Sequence, residues 1–401
     1  MNTALNHKTL QSGAINVDLR SLARQRLARL RDRMQKSAID ALLVSSPENV
    51  LYASGYESMP ATINRRYGYC AIVTADELIM VAPTADCAAA EEAGFKADEF
   101  YPFGEFYFSG DRSGMHGRQW HNDFADALAA AMTRIKPKQI GIEFDHLPAS
   151  IAESLKNSDF DTTDATSFML QTRAQKFGDE IALLRHAASI TEQAIDAGIR
   201  AAEVGVSEKE IASIVAATMS MGGGFTRNVT VVGGPRSAYC DCFPANRALK
   251  PGDLLRFDVG CSYFGYKSDL ARTAVVGEPT KLQASRYRAL LKGLEAEIEV
   301  ARAGTAASKV FEAGMRTVER EGFANFRRHH LGHSIGLAVY EAPVINAHSE
   351  ARLQENATFC LETPYYEPGW GGMMCEDTGI VTSSGFELIS SLDRSLRVIP
   401  C

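Results

Sequence analysis

The stretch Phe257-Asp258-Val259-Gly260-Cys261-Ser262-Tyr263-Phe264-Gly265-Tyr266-Lys267-Ser268-Asp269-Leu270-Ala271-Arg272-Thr273 decides how this chain is read. Leu254, Leu255, Phe257 and Val259 form a short apolar run, a Gly- and aromatic-containing turn follows, and Leu270–Val276 is a second run. The pattern predicts a β-hairpin. Asp258 and Asp269 fall one in each arm. A turn centred near Tyr263 and Phe264 sets them opposite each other on one face, with Cβ atoms about 5 Å apart. Two carboxylates that close repel unless a cation lies between them. For an isolated pair, solvation or a contact with Arg272 is the simpler account, so the rest of the chain must decide.

Downstream lie His333 in His329-His330-Leu331-Gly332-His333-Ser334-Ile335-Gly336, Glu362 in Cys360-Leu361-Glu362-Thr363, and Glu376 in Cys375-Glu376-Asp377-Thr378. Two aspartates, two glutamates and one imidazole make an oxygen-dominated donor set. Such sets suit Mn, Co, Fe or Zn ions in pairs, with carboxylates bridging both.

The hairpin, the Gly332-His333-Ser334-Ile335-Gly336-Leu337 segment and the Glu376-Asp377-Thr378 segment resemble the pita-bread metallopeptidases: methionine aminopeptidase, aminopeptidase P, prolidase and the metal-free creatinase. The spacings are most similar to prolidase (Xaa-Pro dipeptidase), from about residue 20 to the C-terminus. The resemblance implies an α/β creatinase-like N-terminal domain followed by an α+β pita-bread catalytic domain. It implies Asp258, Asp269, His333, Glu362 and Glu376 as ligands of two divalent ions (Mn, Co, Fe or Zn; manganese among the expected metals). In the resembling enzymes the ions acidify a solvent molecule and polarise the scissile carbonyl, and Glu362 occupies the position that moves the proton. His329, four residues before His333, is a further catalytic candidate, against the plainer reading of a buried structural histidine. A homodimer is also implied, with the N-terminal domain of one chain near the site of the other.

Three positions depart from the resembling enzymes. Tyr340 stands where a substrate-facing His is expected seven residues after His333; it can donate a hydrogen bond but cannot shuttle a proton near neutral pH. Asp241 stands where a His is expected seventeen residues before Asp258. Met374 replaces an Arg two residues before Glu376. Together these make Tyr340, Asp241 and Met374 candidate substrate-binding residues and shift the pocket toward negative potential. The leading expectation is a dinuclear metallohydrolase cutting an amide C–N bond of a small molecule or short peptide, with proline after the cut. A relative reassigned to a non-peptide metabolite is the alternative, through creatinase- or ectoine-hydrolase-like C–N hydrolysis or dimethylsulfoniopropionate-lyase-like C–S cleavage. A non-catalytic binding protein is a third reading, disfavoured by the intact ligand set.

The 401 residues predict two domains, and 45% hydrophobic with 23% charged residues is an ordinary globular composition. A net charge of −7 argues against nucleic acid or an anionic membrane surface as partner. Residues 1–21 are polar without a signal-peptide core, which predicts a cytoplasmic protein. The eight cysteines lack zinc-ribbon spacing and read as reduced.

In order, residues 1–17 read as a flexible arm, 18–166 as the N-terminal domain, 167–177 as a linker and 178–401 as the catalytic domain. Within them, residues 18–37 read as an amphipathic helix, 39–45 as a buried strand, 49–55 as the approach to an exposed turn, and 68–74 and 78–81 as strands. Residues 85–93 read as a helix and 139–143 as the last strand of the domain. Six aromatics fill residues 99–108, for packing, a substrate wall or a dimer contact. A long helix opens at 178. A second follows a capping box at Ser207-Glu208-Lys209-Glu210 and stops at Gly222-Gly223-Gly224, which no Lys-Ser/Thr follows. Helices are also expected at 282–302 and 307–321.

Overall fold

The computed structural model describes residues 15–63, 68–106 and 120–401. Most of the expected arm (1–14) and the aromatics Tyr107 and Phe108 lie outside the described residues. The chain divides into two compact units, one of residues 18–172 and one from Arg173 onward. That division falls inside the segment expected as a linker, although Thr166–Arg173 is helical.

The N-terminal unit is a six-stranded mixed sheet, ordered Phe100–Phe103, Leu78–Pro83, Cys70–Thr74, Ala41–Val44, Gln139–Ile142 and Asp161–Asp164. Its central strand, Ala41-Leu42-Leu43-Val44, is buried throughout. The first helix, Leu19–Lys36, is capped by Asp18, which accepts from Arg20 and Ser21 amides, and buries Leu22, Leu30 and Met34. Of the aromatic stretch, Phe100 and Phe103 are core residues and Phe106 is exposed.

Two expectations are corrected here. Residues 49–55 are not an approach to an open turn but most of a helix, Pro47–Ser54. Ser46 caps it, Pro47 opens it, and Gly55 closes it at φ 74°. Buried Glu143 fastens its start, accepting from Ser45 and Ser46 amides and from Asn49 at 2.7–2.9 Å. Nor are residues 139–143 the last strand. Asp161–Asp164 pairs parallel with Gln139–Ile142 as a mostly exposed edge. Its Asp-Thr-Thr-Asp sequence carries no apolar alternation, so the pairing, not the pattern, makes it a strand.

In the second unit a long antiparallel sheet is ordered Glu341–Val344, Gly332–Ser334, Thr358–Glu362, Glu376–Val381, Leu270–Val276, Leu254–Tyr263 and Phe225–Gly233. The helices Gly178–Ala201 and Glu208–Met221 pack beside the Leu254–Tyr263 end. Lys281–Val300 and Ala307–Arg320 bury Leu290, Leu294, Val310 and Val318 against Phe359 and Leu361. The capping box at Ser207 forms, with Glu210 reaching back to the Ser207 amide. This α/β unit followed by an α+β sheet-and-helix unit is the architecture expected from the sequence.

Candidate metal centre

The hairpin turns at Phe264-Gly265, both left-handed (φ 46° and 84°), between the paired Tyr263 and Tyr266. A two-residue turn of type I′ needs positive φ at both central positions, which Gly265 adopts without strain. The turn centre is therefore one residue beyond the expected one, and the register moves by two. Asp258 faces Ala271, and the same register sets Asp269 opposite Gly260. The aspartates are diagonal neighbours, not a facing pair. A slip of two keeps both on one face of the sheet, where a slip of one would have separated them.

Cross-strand register then assembles the rest. Asp258, Ala271, Glu376 and Glu362 form one row across four strands. In the row beside it, His333 faces Cys360, and Cys360 faces Thr378. Thr378 Oγ1 donates to the Asp269 carbonyl at 3.0 Å, joining that row to the hairpin. Residues two apart point the same way, so both rows present side chains to one face. Ligand atoms of Asp258, Asp269 and Glu376 lie within 4.8 Å of one another, as do those of His333, Cys360 and Glu376. His333 Nε2 is 3.9 Å from Asp269 Oδ2. Glu362 faces Glu376 in register. Its Oε1 lies 3.1 Å from His330 Nδ1.

Burial pushes the Asp258 carboxyl up to about 7 and the Asp269 carboxyl to about 6, against the opposing pull of Arg256 and Arg227 respectively. Glu376 is driven well above the ordinary carboxylate range by burial and then by Asp269, Glu362 and Asp258. Burial also presses Glu362 upward, but the His330 hydrogen bond and the charges of His330, His333 and Arg328 outweigh it and leave the group low. Burial lowers His333, keeping its ring neutral. Its Nδ1 lies 3.1 Å from the Ser334 carbonyl; donating there leaves Nε2 free to ligate. Glu376 Oε2 is buried with no hydrogen-bond partner among the described residues. Crowded carboxylates with an orphaned oxygen and a neutral imidazole fit a divalent cation.

Among the other expected residues, Tyr340 stacks on the His333 ring with centroids 3.9 Å apart and is 60% exposed, so its phenol borders open space. Asp241 is exposed, and its charge helps raise Asp258 and Asp269. Met374 is buried, its Sδ 3.7 Å from the Tyr366 hydroxyl. His329 is exposed and packs edge-on against His330, while His330 itself meets Glu362. Arg272 is not a partner of the aspartates; it lies on the opposite face, paired with Asp377 at 2.7 Å.

The sequence reading missed His330 and three arginines. Arg256 is fully buried and pairs with Asp258 at 3.0 Å. Its signal was available: an arginine two residues before Asp258 on one strand shares its face. Arg227 pairs with Asp269 at 3.0 Å and lies over Gly260, where a Cβ would come within 2.6 Å of its Nη2. Arg328 lies over the Tyr366 ring at 5.4 Å. With these cations present, the pocket is less negative than three substituted positions suggested. No local signal singled out His330, whose contact is made by the fold.

The model of Metallopeptidase family M24 matches residues 182–383, which hold this whole centre, and the Creatinase/Prolidase N-terminal domain matches residues 26–175. The chain belongs to metallopeptidase family M24. Membership of this metallopeptidase family implies a hydrolase that uses divalent metal, in keeping with the donor set above. The chain is 27% identical over 379 residues to the Xaa-Pro dipeptidase of Pyrococcus horikoshii, covering 93% of this chain and 98% of that one. The solved prolidase of Pyrococcus horikoshii superposes with a TM-score of 0.79 at 25% identity, covering 93% of this chain and 99% of that one. The X-Pro aminopeptidase of Thermotoga maritima superposes at 0.80 with 23% identity, covering 93% and 99%, and shares the fold. All eight cysteines are free. No helix among the described residues is long and apolar enough to cross a membrane.

Proposed function

We propose that this M24 protein is a dinuclear metal-dependent Xaa-Pro dipeptidase, with Asp258, Asp269, His333, Glu362 and Glu376 holding two divalent ions. The observation that carries the reading is the buried, under-compensated acid cluster beside a neutral His333, in a chain similar along almost its whole length to an Xaa-Pro dipeptidase. Bound there, the ions would supply Lewis acidity toward the scissile carbonyl and acidify the attacking water.

The chain's own residues supply the rest. Glu362, held ionised by His330 and Arg328, takes a proton from the attacking water and passes it to the departing nitrogen. His330 keeps that carboxylate oriented through the 3.1 Å contact. The phenol of Tyr340, raised above its ordinary range by partial shielding from water at the pocket edge and then by Glu362 and Glu376, stays protonated and donates to the carbonyl oxygen. His329, on the exposed side of His330, contributes to the pocket wall. Asp241 takes a cationic or polar group of the substrate, and Met374 an apolar one.

The test is an activity screen of the metal-reconstituted protein on Xaa-Pro dipeptides, beside small zwitterionic amides and sulfonium compounds, with metal analysis. Two ions per chain and preferential dipeptide cleavage are expected. Activity confined to the amides or sulfonium compounds would instead support a reassigned small-metabolite enzyme, a reading favoured by Asp241, whose charge bears on both aspartates.

A further inference from the structure

Asp269 stands at a break in the hairpin, and a buried pair of hydroxyls holds that break open. The ladder pairs Tyr263 with Tyr266 and Ser262 with Lys267, then resumes with Val259 and Leu270. Ser268 and Asp269, between the two runs, belong to no strand. In the same register Cys261 stands opposite Ser268, where a regular hydrogen-bonded pair would exchange both amides for both carbonyls. Only half of that exchange is made. The Ser268 amide donates to the Cys261 carbonyl at 3.0 Å, but the Cys261 amide donates to the Ser268 hydroxyl, also at 3.0 Å. The Ser268 carbonyl is thereby released from the ladder. It lies against Gly260, where a Cβ would come within 2.1 Å of its oxygen, and accepts from Arg227 Nη2 at 3.4 Å. The same nitrogen donates to Asp269 Oδ1 at 3.0 Å, so the freed carbonyl and the next residue's carboxylate share one cation.

The helix Gly178–Ala201 keeps the serine hydroxyl turned to that amide. Ser268 Oγ is 2.6 Å from Thr191 Oγ1, which is 3.1 Å from the Ala187 carbonyl one turn back. A hydroxyl has one proton. Thr191 places its own on Ala187, so Ser268 donates to Thr191 and keeps its lone pairs for the Cys261 amide. The other acceptor near Ser268 Oγ, the Cys261 carbonyl at 3.3 Å, already takes the Ser268 amide. Thr191, Ser268 and Cys261 are all buried, so losing one member strands a polar group away from water.

We propose that Thr191 and Ser268 are positioning residues for the metal centre: their hydroxyl relay holds the Ser268 carbonyl out of the ladder and so sets where Asp269 stands. Without the relay, the buried Cys261 amide regains an acceptor by drawing the Ser268 carbonyl back into the ladder. The planar peptide joining that carbonyl to Asp269 turns with it, and the carboxylate moves away from Asp258 and Glu376. This inference rests on the reading of Asp269 as a metal ligand.

The experiment titrates manganese calorimetrically into chelator-treated full-length wild type, Thr191→Val, Thr191→Ser and Ser268→Ala, with denaturant unfolding of the same metal-free proteins beside it. Thr191→Val keeps the side-chain shape and removes the hydroxyl. It and Ser268→Ala are expected to raise the manganese Kd by about ten- to hundredfold, the range for residues that orient a ligand from behind. Thr191→Ser keeps the relay and should bind as wild type does. A pair with a purely structural role would lower the unfolding midpoint and leave Kd where it was. An unchanged Kd in folded Ser268→Ala or Thr191→Val therefore overturns the proposal, and the serine variant keeps it testable should the valine variant not fold. Equal weakening by Thr191→Ser and Thr191→Val also overturns it, because the hydroxyl would then not be the cause. Wild type that binds no divalent ion overturns the metal reading and this inference together, whereas normal wild-type binding beside unaffected variants overturns this inference alone.

Discussion

Glu376 and Asp377 are neighbours on one strand, both about 1% exposed, yet they face opposite sides of the catalytic sheet and meet opposite fates. Asp377 accepts from Arg272 at 2.7 Å, from Ser390 at 2.8 Å and from Arg394, so its charge is fully answered. Glu376 faces Glu362, Asp258 and Asp269 and keeps an oxygen with no hydrogen-bond partner among the described residues. Glu341, at the far edge of the sheet, resembles Asp377: Arg173 and Lys176 reach it at 2.9 and 3.0 Å. Burial presses on Glu341 too, but Lys176 and Arg173 outweigh it and hold the group below the carboxylate range. Burial alone therefore does not mark a site. What marks it is several buried carboxyls crowded together with too little counter-charge, a state that a bound cation relieves.

The largest effect expected is on turnover. Glu362→Gln should lower kcat by about 10²–10⁴-fold, with an unfolding transition close to wild type; activity within a few-fold of wild type would remove the proton-transfer role. On the opposite face, Asp377→Ala strands buried Arg272 and should cost about 3–5 kcal/mol in denaturant unfolding. A small cost there would break the contrast between the two faces. Titrating manganese into chelator-treated protein should stabilise it by about 2.7 kcal/mol at a hundred times Kd. Glu376→Gln should abolish that gain, with thermal melts as the measurement.

In metal-free protein the sign should reverse. Glu376→Gln removes a strained carboxyl and should stabilise by about 1 kcal/mol, whereas Glu341→Gln should destabilise. The smallest effect is pH-dependent. Because the folded state holds Glu341 below its usual value near 4.5, its contribution is present above that pH and lost as pH falls through the folded value. The stability gap between wild type and Glu341→Gln should accordingly narrow in acid; a gap that widens would refute the assignment.

Much of the centre was legible because local pattern and donor chemistry agreed. Alternating apolar residues at 254–259 and 270–276 announced two strands, and the acids near them pointed to a candidate cation site. The hairpin register was not legible to one residue, because Phe264 in the left-handed region is uncommon for a residue with a Cβ. The helix Pro47–Ser54 was missed although Ser46, Pro47 and Gly55 are ordinary start and stop signals, while the anchor on its start, Glu143, lies nearly a hundred residues away. The polar edge strand Asp161–Asp164 had no pattern to read.

By itself the sequence determined the hairpin, through short-range periodicity, and, through its length and its resemblance to a family, the two-unit architecture and which acids and histidine to bring forward as candidate donors. Only the tertiary structure decided that Glu362 meets His330, that Arg227 is committed to Asp269, and that Arg328 is left beside Tyr366. These contacts join residues from separate segments, and cross-strand register, which no local stretch encodes, sets which side chains share a face.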